Sequence, residues 1–330
     1  MPAKECIFYK KLKNEVVKCL ACSHYCNINE GNMGICRVRK NIKGKLYLMV
    51  YGKAISENID PVEKKPLYHF LPGTNAYSVG TIGCNFKCSY CQNYEISQES
   101  DTELGRNVSP EGIVSNAIKS GCKSIAYTYT EPAIAVEYWM DCMKLAHKEG
   151  LKNIFVTNGY MSKEAMKKTA KLIDAMNIDL KAYTEKFYSE VCKAKLKPVL
   201  NNIKLAKKLG IWVELTTLIV PGMNDSAKEI ESIAKFVKSV DENMPLHLSR
   251  YFPMYKMKIM PTPIKTLNDS YRICKRYLKN VYVGNVGEKN DTLCPECRRP
   301  AISRQAYSTK LNMKKSKCGY CGKKILGVFE

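Results

Sequence analysis

Cys84, Cys88 and Cys91 stand at Cys-x3-Cys-x2-Cys spacing within Gly83-Cys84-Asn85-Phe86-Lys87-Cys88-Ser89-Tyr90-Cys91-Gln92-Asn93. On a tight loop this spacing turns three thiolates toward one point. A four-iron cluster is normally held by four thiolates, so three would leave one iron open to another ligand. A zinc site with a distant fourth ligand, or three buried thiols without an ion, are the other readings of the same spacing. The apolar run Tyr77-Ser78-Val79-Gly80-Thr81-Ile82 just before it reads as a buried strand, and Gly83 allows a sharp turn after it.

Two further cysteine groups have metal-ligand spacing. Cys19, Cys22, Cys26 and Cys36 lie in a glycine-punctuated segment with Gly31 and Gly34, where a metal can replace a core too small to form. Four thiolates suit zinc or a second iron–sulfur cluster, and His24 keeps a mixed zinc set open. Cys294, Cys297, Cys318 and Cys321 form two knuckles twenty residues apart, the spacing of a structural zinc ribbon. The other five of the sixteen cysteines, Cys6, Cys122, Cys142, Cys192 and Cys274, are scattered and read as buried structural thiols.

The chain has 330 residues, 45% of them hydrophobic, and a formal net charge of +22. It contains no apolar run of about 18 residues and no exported leader pattern. The expectation is a soluble protein of the reducing cytoplasm, in which grouped cysteines bind metal rather than form disulfides. The positive field favours phosphate-rich partners such as RNA, although dispersed lysines also serve as solvated faces. Arg298, Arg299, Arg304, Lys310, Lys314, Lys315, Lys317, Lys323 and Lys324 cover the terminal ribbon, and no acidic residue stands between Cys297 and Lys324.

These groups need elements to position them. Residues 1–50 form a Cys-rich metal-binding region whose first half lacks helical or strand periodicity, with a strand at 45–51. Residues 51–76 form a connecting segment, in which Asp60 to Phe70 is too proline-rich for a helix interior, and His69 packs beside Phe70 or serves as a ligand. From 77 to 287, short apolar runs at 77–82, 125–129, 154–157, 178–180, 211–220, 246–251 and 281–283 alternate with amphipathic stretches. Met166, Thr169, Ala170 and Ile173 keep helical spacing, as do Ile230, Ile233, Ala234 and Val237, with Ser226 and Glu229 as a capping box and Pro132 in another first turn. Repeated strand and helix units specify an α/β fold with a parallel sheet, here a partial (β/α)6-type barrel of the TIM kind, and residues 288–330 follow as the zinc-ribbon-like appendage. In such folds the site lies at the C-terminal strand ends. Polar residues recur there: Thr128, Thr130 and Glu131; Asn158 and Gly159; Asp179 and Lys181; Pro221, Gly222, Asn224 and Asp225; and Arg250.

Cys84-x3-Cys88-x-Tyr90-Cys91 after a first strand resembles the signature of radical S-adenosylmethionine (SAM) enzymes. Asp60-Pro61-Val62-Glu63-Lys64-Lys65-Pro66-Leu67, Gly83-Cys84-Asn85-Phe86, Cys91-Gln92-Asn93, Tyr129-Thr130-Glu131-Pro132 and Tyr282-Val283-Gly284-Asn285-Val286 more closely resemble the AmmeMemoRadiSam-system radical SAM enzymes, relatives of pyruvate formate-lyase activating enzyme. The resemblance covers nearly the whole chain. It implies a [4Fe-4S] cluster on Cys84, Cys88 and Cys91 that binds SAM, reductive cleavage to a 5′-deoxyadenosyl radical, and a low-potential donor such as ferredoxin or flavodoxin. It places Tyr90 near the adenine, Glu131 and Asn158 in the SAM site, and Lys181 against the SAM carboxylate or at the reaction as a catalytic contact. The Val220-Pro221-Gly222 turn is a further candidate for the SAM pocket. Tyr129 and Thr130 replace the two glycines of the family's Gly-Gly-Glu segment, so the resemblance carries over Glu131 but not the backbone contact. The substrate it implies is a protein, as for activating enzymes, while the basic tail favours RNA. The competing reading from the residues is a non-catalytic iron–sulfur or zinc protein that docks nucleic acid through the ribbon.

Overall fold

The apolar runs of the middle of the chain pair in the order in which they occur. A computed structural model describes residues 3–287 and 289–330. Residues 1 and 2, and the boundary position 288 of the C-terminal region, lie outside the described residues. The central sheet has eight strands: β1 (Ser56–Pro61), β2 (Asn75–Gly80), β3 (Ser124–Tyr127), β4 (Lys152–Thr157), β5 (Ala175–Asp179), β6 (Trp212–Ile219), β7 (Leu246–Arg250) and β8 (Val281–Gly284). Strands β2 to β8 are parallel neighbours in sequence order, and β1 runs antiparallel along the β2 edge. Such sequential winding, with β1 and β8 left as edges, is an open partial barrel, with one parallel strand more than a six-unit barrel has.

The crossovers carry α1 (Pro110–Lys119), α2 (Val136–Lys148), α3 (Lys163–Thr169), α4 (Leu196–Lys208), α5 (Ala227–Val240) and α6 (Ile264–Lys275). Side chains alternate across each strand, so Val79, Ile125, Tyr127, Phe155, Ile178, Leu215 and Leu248 pack outward in one core with Ile113, Trp139, Ile203, Ile233 and Leu267 of the helices. Three local readings differ in detail. Helix α3 ends at Thr169, and Ile173 lies beyond a short 3-10 turn. Ser226 caps the Glu229 amide at 3.2 Å, but the Glu229 carboxylate accepts from the Tyr183 amide instead of closing the capping box. Residues 4–48 form short antiparallel strands in two three-stranded sheets; at two to four residues each, they are too short to show a period.

The opposite strand faces point into the barrel, where the segment after β1 fills the lower half. Val62, Leu67, Phe70 and Leu71 pack on Ala76, Ala126, Ile154 and Ala175. Glu214, fully buried on β6, accepts from the amides of Tyr68 (2.9 Å) and His69 (2.8 Å), from Trp212 Nε1 (3.0 Å), and bonds His247 Nε2 (2.7 Å). Burial alone would raise its pKa; the His247 hydrogen bond and charge outweigh that and hold the carboxyl below its usual range. The His69 ring is held by Leu326 O (2.7 Å) and Tyr282 Oη (2.6 Å), so His69 packs rather than serving as a ligand.

Both ends of the chain attach to this body. Arg304 of the ribbon reaches through to Tyr68 O and Thr292 Oγ1 and stacks its guanidinium 4.3 Å from the Tyr68 ring centroid. It is therefore a buried tether and not part of an exposed basic face. The N-terminal region meets the turn after β2, where Gly83 has φ +84°, and a Cβ there would stand 2.6 Å from Cys36 O and 2.8 Å from Val38 Cγ1.

Glu214→Ala leaves two amides, an indole N–H and His247 without their buried partner, and should cost about 3–5 kcal/mol. An unfolding free energy from urea titration lowered by less than about 1 kcal/mol would contradict this role. Gly83→Ala adds backbone strain of about 1–3 kcal/mol to the clash with Cys36 and Val38, so the N-terminal region should become protease-sensitive while the barrel stays resistant, as read by limited proteolysis.

Candidate active site

Parallel strands end on one rim, where the last polar groups leave the hydrogen-bond ladder. That rim opens into a cavity of ≈ 440 Å³, within the range of small-molecule sites. Its wall includes Cys84, Cys88, Cys91 and Tyr90 from the loop after β2; Thr128 to Glu131 after β3; Thr157 and Asn158 at the end of β4; Asp179 and Lys181 around β5; and Ser249 and Asn285. Pro221, Gly222, Asn224, Asp225 and Arg250 do not line it. Asn224 instead ties its own turn together through Val220 N (2.7 Å), Leu218 O (2.8 Å) and Lys181 O (2.7 Å), and Arg250 Nε donates to Thr262 O.

The cysteine loop is held by many small bonds. Phe86 N donates to Cys84 Sγ (3.4 Å), and Cys91 Sγ lies 3.1 Å from Ser97 Oγ. Lys87 N and Ser89 N donate to Cys192 O (3.0 Å) and Val191 O (3.1 Å). Asn158 Nδ2 donates to Asn85 Oδ1 (2.8 Å) and lies 4.0 Å from Cys84 Sγ, while its Oδ1 accepts from Tyr160 N (3.0 Å). Asn158 therefore fixes the loop as well as lining the cavity. Three buried polar atoms around this loop, Asn85 Nδ2, Lys87 Nζ and Tyr90 Oη, have no partner in the protein.

Glu131 joins two strand ends. Its carboxylate accepts from Ala133 N (3.0 Å), Thr157 Oγ1 (2.8 Å) and Asn158 N (2.8 Å). Burial nevertheless pushes its carboxyl up to about 7, because these donors offset only part of the desolvation. Lys181 pairs with Asp179 at 2.9 Å and stands 5.8 Å from the Tyr90 ring centroid. Burial disfavours its ammonium, but the Asp179 charge outweighs this and keeps its pKa well above the ordinary value. Tyr129, where the related pattern has glycine, takes φ +69°, a conformation glycine adopts freely. Its carbonyl accepts from Asn93 Nδ2 (2.7 Å), and its hydroxyl reaches Asp60 (2.9 Å).

Other wall residues carried no spacing signal. The Cys192 carbonyl accepts from Lys87 N at 3.0 Å, which places this buried cysteine against the loop. Lys64 and Lys65, both paired with Asp60, enter from the segment after β1, and Tyr307 enters from the C-terminal ribbon. Lys64 and Lys65 lie in a stretch that the sequence comparison singled out as a motif without giving it a role. Tyr307 comes from a ribbon held to the body by Arg304 and by the Thr309 hydroxyl, which donates to Glu63 at 2.8 Å.

The three cysteine groups differ in geometry. Among the described residues, Cys294, Cys297, Cys318 and Cys321 have ligand atoms that all lie within 4.8 Å of one another. Cys294 and Cys321 sulfurs are 3.6 Å apart and those of Cys297 and Cys318 3.8 Å, against about 3.8 Å for the edge of a tetrahedron with zinc–sulfur bonds of about 2.3 Å. Neither Cys84, Cys88 and Cys91 nor the N-terminal four bring three sulfurs so close. Cys84, Cys88 and Cys91 instead line one side of the rim cavity, which leaves room beside their sulfurs for a group larger than one small ion. All sixteen cysteines are free of disulfides, and no helix among the described residues is long and apolar enough to cross a membrane.

Comparison with known proteins agrees with this architecture. Residues 78–237 match the model of the radical SAM superfamily. An uncharacterized protein of Methanocaldococcus jannaschii is 45% identical over 331 residues, covering 98% of each chain. A pyruvate formate-lyase-activating enzyme of Clostridium pasteurianum is 23% identical over 168 residues, 48% of this chain and 67% of that protein. The crystal structure of a radical SAM methyltransferase from Sphaerobacter thermophilus aligns with a TM-score of 0.51 at 16% identity over 65% of this chain and 67% of that one, a likeness of fold alone. The matched segment begins in β2 and runs through the cysteine loop, Glu131 and Lys181 to α5, and the chain belongs to the radical SAM superfamily of enzymes, as a relative of the activating enzymes.

Proposed function

We propose that this protein binds a [4Fe-4S] cluster through Cys84, Cys88 and Cys91, holds SAM in the cavity at the strand rim, and abstracts hydrogen from a protein substrate. The observation that carries this reading is the placement of three non-converging thiols at a cavity whose other walls are polar strand ends. When bound, the cluster and SAM supply a one-electron reductive cleavage that yields methionine and a 5′-deoxyadenosyl radical. The residues of the chain provide the rest. Lys181, held cationic by Asp179, offers a charge to the SAM carboxylate. Glu131 and Asn158 fix the strand ends on which SAM would rest, and Asn158 also steadies Asn85 beside Cys84. Tyr90 presents a buried ring with an unpartnered hydroxyl at the same wall. The electron comes from a low-potential donor of the ferredoxin or flavodoxin type, and the reducing cytoplasm is the compartment that suits sixteen free cysteines.

Zinc is assigned to Cys294, Cys297, Cys318 and Cys321, a reading supported by the two sulfur separations near the tetrahedral edge. The ribbon has a second use in this proposal. Its Tyr307 lines the cavity while Lys310, Lys314, Lys315 and Lys317 are exposed, so it is positioned to present a macromolecule to the site. RNA is the second reading for that macromolecule, since exposed cations favour phosphate.

Reconstituted anaerobically and given dithionite and SAM, the wild type should form 5′-deoxyadenosine, and Cys88→Ala should form none. A wild type that holds four irons but makes no 5′-deoxyadenosine, with or without cell extract, would refute the enzymatic reading. Lys181→Met should weaken SAM binding by about 10- to 100-fold, the value of a hydrogen bond to a charged group, as measured by equilibrium dialysis. Neutralising the four ribbon lysines should lower RNA affinity and flatten its salt dependence if RNA is bound; an unchanged slope would leave protein as the substrate class.

A further inference from the structure

The cavity that carries the cysteine loop at its rim has a cationic floor. Lys64 and Lys65 line it from the segment that fills the lower half of the barrel, and the function proposed above leaves both without a task. The sequence makes the pair rigid. Val62–Lys64 is a single 3-10 turn closed by Lys65 N to Val62 O (2.9 Å), and Pro66, which follows, lacks the N–H to extend it. Pro66 O accepts from Asn177 Nδ2 of β5 (2.8 Å), and the amides of Tyr68 and His69 are fixed on Glu214. Both ammonium groups are therefore in place before any ligand arrives.

Their charge is only half compensated. Lys64 Nζ lies 2.8 Å from Asp60 Oδ1 and Lys65 Nζ 2.7 Å from Asp60 Oδ2, so two cations share one carboxylate. That carboxylate also accepts from Tyr129 Oη at 2.9 Å. The neighbouring acid, Glu63, is occupied elsewhere by Gly73 N and Thr309 Oγ1, both at 2.8 Å. The Lys65 side chain is only 4% exposed, and Asp60 is its one hydrogen-bond acceptor among the described residues, although an ammonium carries three donors. Its other contact, 4.8 Å from the Tyr129 ring centroid, supplies no acceptor atom. Burial pushes the Lys65 pKa below its ordinary value in spite of Asp60, the mark of a cation short of negative charge. The acids of the cavity wall are engaged too: Asp179 pairs with Lys181, and Glu131 accepts three hydrogen bonds. We infer that Lys64 and Lys65 form an oxyanion site that holds a carboxylate or phosphate of the substrate, so that the part of the substrate entering the cavity is anionic. Ammonium groups act as point charges and accept the planar and the tetrahedral anion alike. An anion seated on the floor leaves the carbon attached to it facing the rim, where hydrogen is abstracted. That the anion belongs to a substrate rests on the reading under Proposed function; the anion site itself does not.

The test uses the full chain, reconstituted anaerobically with SAM and without reductant, and titrated calorimetrically at low salt with inorganic phosphate and with acetate. Because the chain carries a net charge of +22, surface binding is removed by comparison with Lys65→Met. The wild type should bind at least one of the two anions about tenfold or more tightly than this variant, the value of a hydrogen bond to a charged group. Tighter phosphate assigns a phosphorylated group, and tighter acetate an acidic side chain or a C-terminal carboxylate. Equal affinity in wild type and variant overturns the inference. So does a comparable loss of SAM affinity in Lys65→Met, measured by equilibrium dialysis, since that would give the lysines to the cofactor. Should Lys65→Met not fold, Lys64→Glu at its half-exposed position decides: the reversed charge should abolish the site, and unchanged anion affinity overturns it. Formation of 5′-deoxyadenosine is measured separately. A wild type that binds the anion but cleaves no SAM removes the radical reading and leaves the site, whereas one that cleaves SAM and holds neither anion at the lysines removes this inference alone.

Discussion

The parallel, sequential winding of the sheet is the constraint on which the other features rest. When every strand from β2 to β8 runs in the same direction, all their C-terminal ends finish on one rim, and residues far apart in the chain share one wall. Cys84, Glu131, Asn158, Lys181 and Asn285 meet there although roughly two hundred residues separate the first from the last. The rim needs internal stitching, because groups at strand ends have left the ladder. Glu131 provides it between β3 and β4 with three accepted hydrogen bonds, and it does so at the expense of a carboxyl pushed toward neutrality by burial.

The other end of the barrel is closed by chemistry of a different kind. Glu214 gathers two backbone amides, an indole and an imidazole in a dry environment, and so fixes the segment carrying Tyr68 and His69 inside the sheet. That segment blocks the lower opening and delivers Lys64 and Lys65 to the upper cavity. Arg304 grips the same segment from the ribbon side. One buried strap thus links the barrel floor, the cavity wall and the C-terminal appendage.

The three cysteine groups, alike in composition, separate by geometry. Four sulfurs converge in the ribbon, three line one side of the rim cavity, and the N-terminal four lie beside Asn85 of the same loop. The close backbone approach of Gly83 and Cys36 makes the last two groups neighbours. Asn85, which lies against the N-terminal cysteines and accepts from Asn158 of the cavity wall, joins the two.

Much of this was legible in the chain itself. Apolar runs of strand length, separated by helical periods, marked all seven parallel strands, because burial on both faces leaves a continuous hydrophobic signal. Cysteine spacing marked each candidate ligand group, since ligands supplied by one loop must be close in sequence. The short N-terminal strands had too few residues to show alternation, and the capping box at Ser226 failed because Glu229 found the Tyr183 amide, a partner distant in sequence. What only the tertiary structure decided is how separate segments meet: Cys192 against the cysteine loop, Tyr307 at the cavity, Arg304 buried rather than basic surface, and Cys36 against Gly83. Spacing constrains ligands within a loop, whereas the distance between loops is set by packing across the whole sheet.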